Sequence, residues 1–151
     1  MKAMTIVSWA ALALTSCNAA KAAGPSILSP LGGDQDNALI SEIQSRNPGS
    51  LCSLVTSDGL ARLMSFGQQA VVDFDGKPSV LSYHRGPDRN HASFDGAGIR
   101  VSGALTRQDV KNIGKTASHH VSVDVEASGR SEHLSAEWTC QKALLSVAAG
   151  H

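Results

Sequence analysis

The stretch from His119 to Cys140 reads HHVSVDVEASGRSEHLSAEWTC, and its alternation decides the fold. Val121, Val123 and Val125 fall on one side of an extended chain, with His120, Ser122, Asp124 and Glu126 on the other. The return is equally regular: Leu134, Ala136, Trp138 and Cys140 alternate with His133, Ser135, Glu137 and Thr139. A period of two on both sides of a glycine-containing turn specifies a β-hairpin with one apolar face. A two-residue loop at Gly129-Arg130, with glycine first, fits a type II′ turn. That register sets Val125 against Leu134, Val123 against Ala136 and Val121 against Trp138. A slip by one residue would turn an apolar row onto a polar one. Cys140 then lies on the inward face.

Two more hairpins precede it. Ala70, Val72 and Phe74 alternate with Val71 and Asp73 before the turn Asp75-Gly76, and a strand returns over about 78–83. The second joins Ala92-Ser93-Phe94 to Ile99-Arg100-Val101 through Asp95-Gly96-Ala97-Gly98, so that Phe94 meets Ile99 and Ala92 meets Val101. Residues 51–65 fit either two strands around Ser57-Asp58-Gly59 or two short helical turns. Asp36 reads as the N-cap of a helix over 37–46 with Leu39, Ile40 and Ile43 on its buried stripe, ended by Asn47-Pro48-Gly49. A second short helix is expected after Thr106, with Asp109 three residues on and Val110, Ile113 and Gly114 completing it. The expected class is α+β, mainly antiparallel hairpins with one or two short helices, as an open sheet, a sandwich or a small barrel.

The first residues carry an address. Lys2 precedes an apolar run from Thr5 to Leu14, too short for the ~20 residues of a membrane-spanning helix but suited to a signal peptide. The run ends in Leu14-Thr15-Ser16-Cys17, which resembles the lipobox of bacterial lipoproteins. That resemblance implies removal of residues 1–16, a diacylglycerol on Cys17 and a membrane anchor of two or three acyl chains, palmitate among them. Asn18 in place of Asp after the cysteine favours the outer membrane, with the domain facing the periplasm. The alternatives are cleavage after Ala20-Lys21-Ala22, releasing a soluble periplasmic protein, and an uncleaved anchor. Residues 17–35, rich in Ala, Gly, Pro and Ser, read as lipidated cysteine and tether, 36–142 as one domain and 143–151 as a tail. Lipidation of Cys17 leaves Cys52 and Cys140, which make either a disulfide or two buried thiols; an oxidising compartment favours the bond.

Composition narrows the function. The chain has 13 basic and 13 acidic residues; removing Lys2 leaves 12 against 13, a formal charge of −1. No strongly basic face for nucleic acid is expected from that balance. Aromatic residues make up 4%, so the core must come from Val, Leu, Ile and Ala. No nucleophile elbow, zinc-protease helix, phosphate loop or dinucleotide fingerprint occurs. The expectation is therefore no catalytic residue, no enzyme and no cofactor.

Two polar groupings stand out. His84, Arg85, Arg89 and His91 flank Gly86-Pro87 in a connection that is the first candidate for docking a partner, since paired guanidiniums fork onto carboxylates or phosphates. In the register above, Glu126 faces His133 with Asp124 diagonal to it. This is either a carboxylate–imidazole metal site or, as is commoner, an exposed cross-strand ion pair.

The order Cys52, Ala70-x-Val72-x-Phe74-Asp75-Gly76, then Ser93-Phe94-x-Gly96 is similar to the layout of membrane-bound inhibitors of c-type lysozyme. That resemblance implies a small lipid-anchored β-barrel. The family's Ser-Gly before an aromatic residue and its later Lys-Gly motif are not found in the matching places, so no inhibitory residue is carried over. The expected role is a tethered, non-enzymatic binding or structural module. Its partner would be an envelope protein, peptidoglycan or a secreted effector; the alternative is inhibition of a lysozyme-like wall hydrolase.

Overall fold

The computed structural model describes residues 26–49, 51–88, 90–105 and 117–141. Nine strands and one helix follow in order: β1 Leu28–Ser29, α1 Asp34–Arg46, β2 Leu51–Thr56, β3 Ala61–Phe66, β4 Gln69–Phe74, β5 Lys77–Arg85, β6 Ala92–Gly96, β7 Ile99–Gly103, β8 Ala117–Ala127 and β9 Arg130–Gln141. From β2 to β9 each strand pairs antiparallel with the next, and β9 pairs back onto β2, closing an eight-strand up-and-down barrel. Of the architectures open to the sequence pattern, the small barrel is the one formed. The α+β label fits only loosely, because the single described helix lies outside the barrel.

Alternation fills the interior. Leu54, Leu63, Val72, Leu81, Val101, Val123 and Val125 are each fully buried, and Phe94 nearly so. Residues 51–65, open to two readings in the sequence, form the β2–β3 hairpin. In β4 the run Ala70-Val71-Val72 is buried on both faces: Ala70 and Val72 point inward, while Val71 packs outward with Phe66, Met64 and Val80 beneath Leu39, Ile40 and Ile43 of α1.

The helix begins earlier than its apolar stripe suggests. Gly33 is the N-cap and Asp36 lies in the first turn, its Oδ2 accepting the backbone N–H groups of Gly32 at 3.1 Å and Gly33 at 3.0 Å. The carboxylate thus caps from inside the helix, at its positive end, and not from the residue before it.

Two registers differ from the sequence reading, both by two residues. Phe94 pairs with Val101 and Ala92 with Gly103, because the loop is the two-residue Ala97-Gly98 and not a four-residue one. Val125 pairs with Glu132, Val123 with Leu134 and Val121 with Ala136, around Ser128-Gly129 and not Gly129-Arg130. Ala97, Gly98, Ser128 and Gly129 all have positive φ, as do Asp75 and Gly76 in the turn that was placed correctly. This is the type I′ geometry, whose twist suits tightly joined strands and which takes glycine second. A shift of two keeps every side chain on its own face, so inward and outward assignments survive it.

The two ends of the barrel differ. One end has the β2–β3, β4–β5, β6–β7 and β8–β9 turns and is sealed by Ile27 and Leu28, which join the interior cluster. There β1 pairs with Asp73 and Phe74 of β4, and Glu132 Oε2 accepts Ile27 N–H at 2.7 Å and Ser26 Oγ–H at 3.0 Å. The stretch expected to be tether, 17–35, is described only from Ser26; Ile27 and Leu28 are buried there, and Asp34 and Gln35 already belong to α1. The other end has the long connections, including β5–β6 and β7–β8. The helix expected after Thr106 falls in the latter, outside the described residues, as do Cys17, Arg89 and the tail.

Candidate functional site

The open end of the barrel is concave. Tyr83 of β5 and Phe94 of β6 stand opposite each other, their rings edge to face with centroids 5.5 Å apart. Phe94 also meets Trp138 of β9 across the interior at 6.3 Å. Below this aromatic wall, Cys52 lies between Cys140 on one neighbouring strand and Ser65 on the other. Cys52 and Cys140 form a disulfide, so the seam of the barrel is covalent. Together these groups line a cavity of about 300 Å³ whose rim carries Asn47, Pro48, Gly49, Gly67 and Gln68.

The local sequence explains the shape. Asn47 ends α1, its side-chain N–H₂ donating to Ile43 O at 3.0 Å and Gln69 Oε1 at 2.9 Å, which pins the helix end to the start of β4. Gly67-Gln68 makes a tight turn, and Gln68 O accepts Tyr83 N–H at 2.8 Å. A larger depression of about 640 Å³ lies on the outside beside the β6–β7 and β8–β9 turns, lined by Asp95, Arg100, Glu126 and Arg130. It is a solvated charged surface; the enclosed, aromatic cavity is the better-formed site.

The sequence-predicted groups are placed as follows. His84 and Arg85 end β5 on the exposed surface, and His84 Nε2 lies 3.0 Å from Asp95 Oδ1. His91 Nδ1 lies 2.7 Å from Asp88 Oδ1, at the base of the β5–β6 connection, which Gly86 N–H and His91 O close at 2.8 Å. The His91 hydrogen bond, helped by Asn90 N–H, holds the Asp88 carboxyl below the usual carboxylate range. The two imidazoles therefore serve different carboxylates and do not converge; Arg89 lies outside the described residues.

The candidate metal triad is not assembled. With the register moved by two, Asp124 stands directly opposite His133, Oδ1 to Nδ1 at 2.8 Å, and Glu126 faces Ser131 instead. Among the described residues no three His, Cys, Asp or Glu side chains are grouped to hold a metal ion. Asp124 and His133 belong to a lateral outer row, His84–Ser93–Ser102–Asp124–His133, that crosses five strands. No helix among the described residues is long and apolar enough to cross a membrane.

The aromatic mouth was missed by the sequence reading. Its signal was present in part: Tyr83, Phe94 and Trp138 all have inward parity. What brings them together is barrel closure, which places β9 across from β5 and β6. No family model, no curated protein and no solved structure matches this chain, so the site rests on its own geometry.

Proposed function

We propose that the chain is a non-enzymatic binding module of the cell envelope, held on the periplasmic face of the outer membrane by acyl chains on Cys17, with the open end of the barrel as its working surface. The observation that carries this reading is the polarity of the fold. Ser26 and Ile27 are fastened by Glu132 at the sealed end. The chain from the anchor thus enters there, and the concave aromatic end lies opposite. Loops and cavities at such ends hold ligands and partners in small barrels.

The partner is an envelope protein, peptidoglycan or a secreted effector. Photo-crosslinking residues placed at Arg85 and at Ala97 in native membranes test the polarity: a specific product from Arg85 and none from Ala97 supports it, and the reverse sinks it. Intact-mass measurement tests the anchor. Acyl chains on an N-terminal Cys17 are expected, and an unmodified mature protein starting at Ala23 refutes them.

A second reading, inhibition of a lysozyme-like hydrolase, draws on one observation, the closed small barrel that the sequence resemblance implies. Undiminished c-type lysozyme activity with excess purified protein removes it.

A further inference from the structure

We infer that the cavity at the open end is a binding site for a small uncharged molecule carrying a flat ring and one hydrogen-bonding group. This deepens the reading of the open end as the working surface and rests on it.

Size comes first. About 300 Å³ is at the lower limit of ligand pockets and equals the liquid volume of about ten waters. One or two fused rings fit; a pair of acyl chains or a folded peptide does not. Charge comes next. Among the described residues no Asp, Glu, Lys, Arg or His lines the cavity. The described walls would take hydration from an ionised ligand without offering it a counter-charge, so they favour an uncharged one.

Shape and polarity complete the class. Tyr83, half-buried at the mouth, presents ring surface and is backed by the almost wholly buried Phe94 and Trp138, which favours a flat aromatic or similarly polarisable guest. Ser65 is 4% exposed and lines the cavity, where its hydroxyl can donate to or accept from a guest. Gln68, exposed at the rim, adds an amide able to meet the guest's outer edge. Asn47 is already committed to Ile43 and Gln69 and serves as wall only.

The test uses 2-naphthol and naphthalene-2-sulfonate, which share a ring system and differ in charge. The full chain carries Cys17→Ser, so that no acyl chain is attached, and Trp9→Phe, which leaves Trp138 as the only tryptophan. Calorimetry should give saturable one-to-one binding of 2-naphthol with a change in Trp138 emission, and roughly tenfold or more weaker binding of the sulfonate. Ser65→Phe fills the cavity and should weaken 2-naphthol by roughly tenfold or more. Gln68→Trp, at an exposed turn where folding is not at stake, should do the same by covering the mouth. No saturable binding, equal affinity for the two probes, or binding unaffected by Gln68→Trp overturns the inference. Because no partner is present, such a failure leaves the crosslinking result, and with it the polarity of the fold, standing on its own.

Discussion

Cys52 and Cys140 stand directly opposite each other on the first and last strands of the barrel, with their Cα atoms 4.0 Å apart. The disulfide therefore staples the one ladder, β2 to β9, that must form between segments 88 residues apart in sequence. Every other barrel pairing joins consecutive strands. A bond closing so long a loop removes much freedom from the unfolded chain, about 4–5 kcal/mol in the chain-entropy description. Replacing both cysteines with alanine should cost about 2–5 kcal/mol in denaturant unfolding. Equal midpoints for the variant and the oxidised protein would show that the closure does not depend on the bond.

The faces of β8 are open to a paired comparison. Val123 is fully buried and Asp124 is exposed, its only described side-chain partner being His133. Val123→Asp buries a charge without a partner and should cost about 3 kcal/mol or more. Asp124→Val gives up an exposed ion pair and gains strand propensity, so its effect should stay within about 1 kcal/mol. Two variants melting alike would overturn the inward and outward assignment.

Glu132 fastens the N-terminal segment, accepting from both Ser26 and Ile27. Hydrogen bonds to a charged acceptor are worth about 1.5–3 kcal/mol when partly buried. Glu132→Ala should therefore speed amide exchange at Ile27 and Leu28 selectively, while the β8–β9 ladder keeps its protection. Glu132→Gln retains an acceptor and should fall between. Unchanged exchange at Ile27 in both variants would remove Glu132 from this role.

The β2–β3 turn carries a pH dependence. The Thr56 hydroxyl foremost and Leu60 N–H next hold the Asp58 carboxyl below its ordinary value; desolvation opposes them, and the Arg62 guanidinium adds a smaller lowering. A carboxyl lowered in the folded state contributes stability above its ordinary value and loses it as pH falls through the lowered one. The melting temperature of the wild type should thus fall more than that of Asp58→Asn as pH is taken from about 5 through the ordinary carboxylate value and on below it. Parallel curves for the two proteins would count against it.

How far the sequence could be read follows from what alternation encodes. Parity along a strand is local, so Val123 inward and Asp124 outward were legible from HHVSVDVEA alone. Register is not local in the same way. A shift of two residues conserves parity, and only turn chemistry separates the two choices; Ser128 at positive φ, before Gly129, is the residue that misled. That shift also dissolved the expected Glu126–His133 pair and produced Asp124–His133 instead. Barrel closure is still less local. Tyr83, Phe94 and Trp138 are far apart in sequence, and nothing in their spacing announces a common cavity. The disulfide was legible because cysteine chemistry, unlike packing, leaves few partners to choose from.

The neck of the β5–β6 connection gives the last prediction. Gly86 N–H donates to His91 O at 2.8 Å, and a Cβ built on Gly86 would lie 2.3 Å from that oxygen and 2.6 Å from its carbon. Both atoms belong to backbone, so neither yields as the tip of a side chain would. Gly86→Ala must therefore part the two limbs of the loop, breaking the hydrogen bond that closes it and displacing the His91–Asp88 pair beyond. The ladder from His84 to Ser93 lies inside this point and should hold. Amide shifts are expected to move from Gly86 to His91 and to stay put in β8 and β9, with a stability loss of about 1–2 kcal/mol. If the loop docks a partner, the crosslink from Arg85 should weaken with it. Shifts spread through the whole barrel would mean that the neck supports the fold itself, and that the loop is not an independent element.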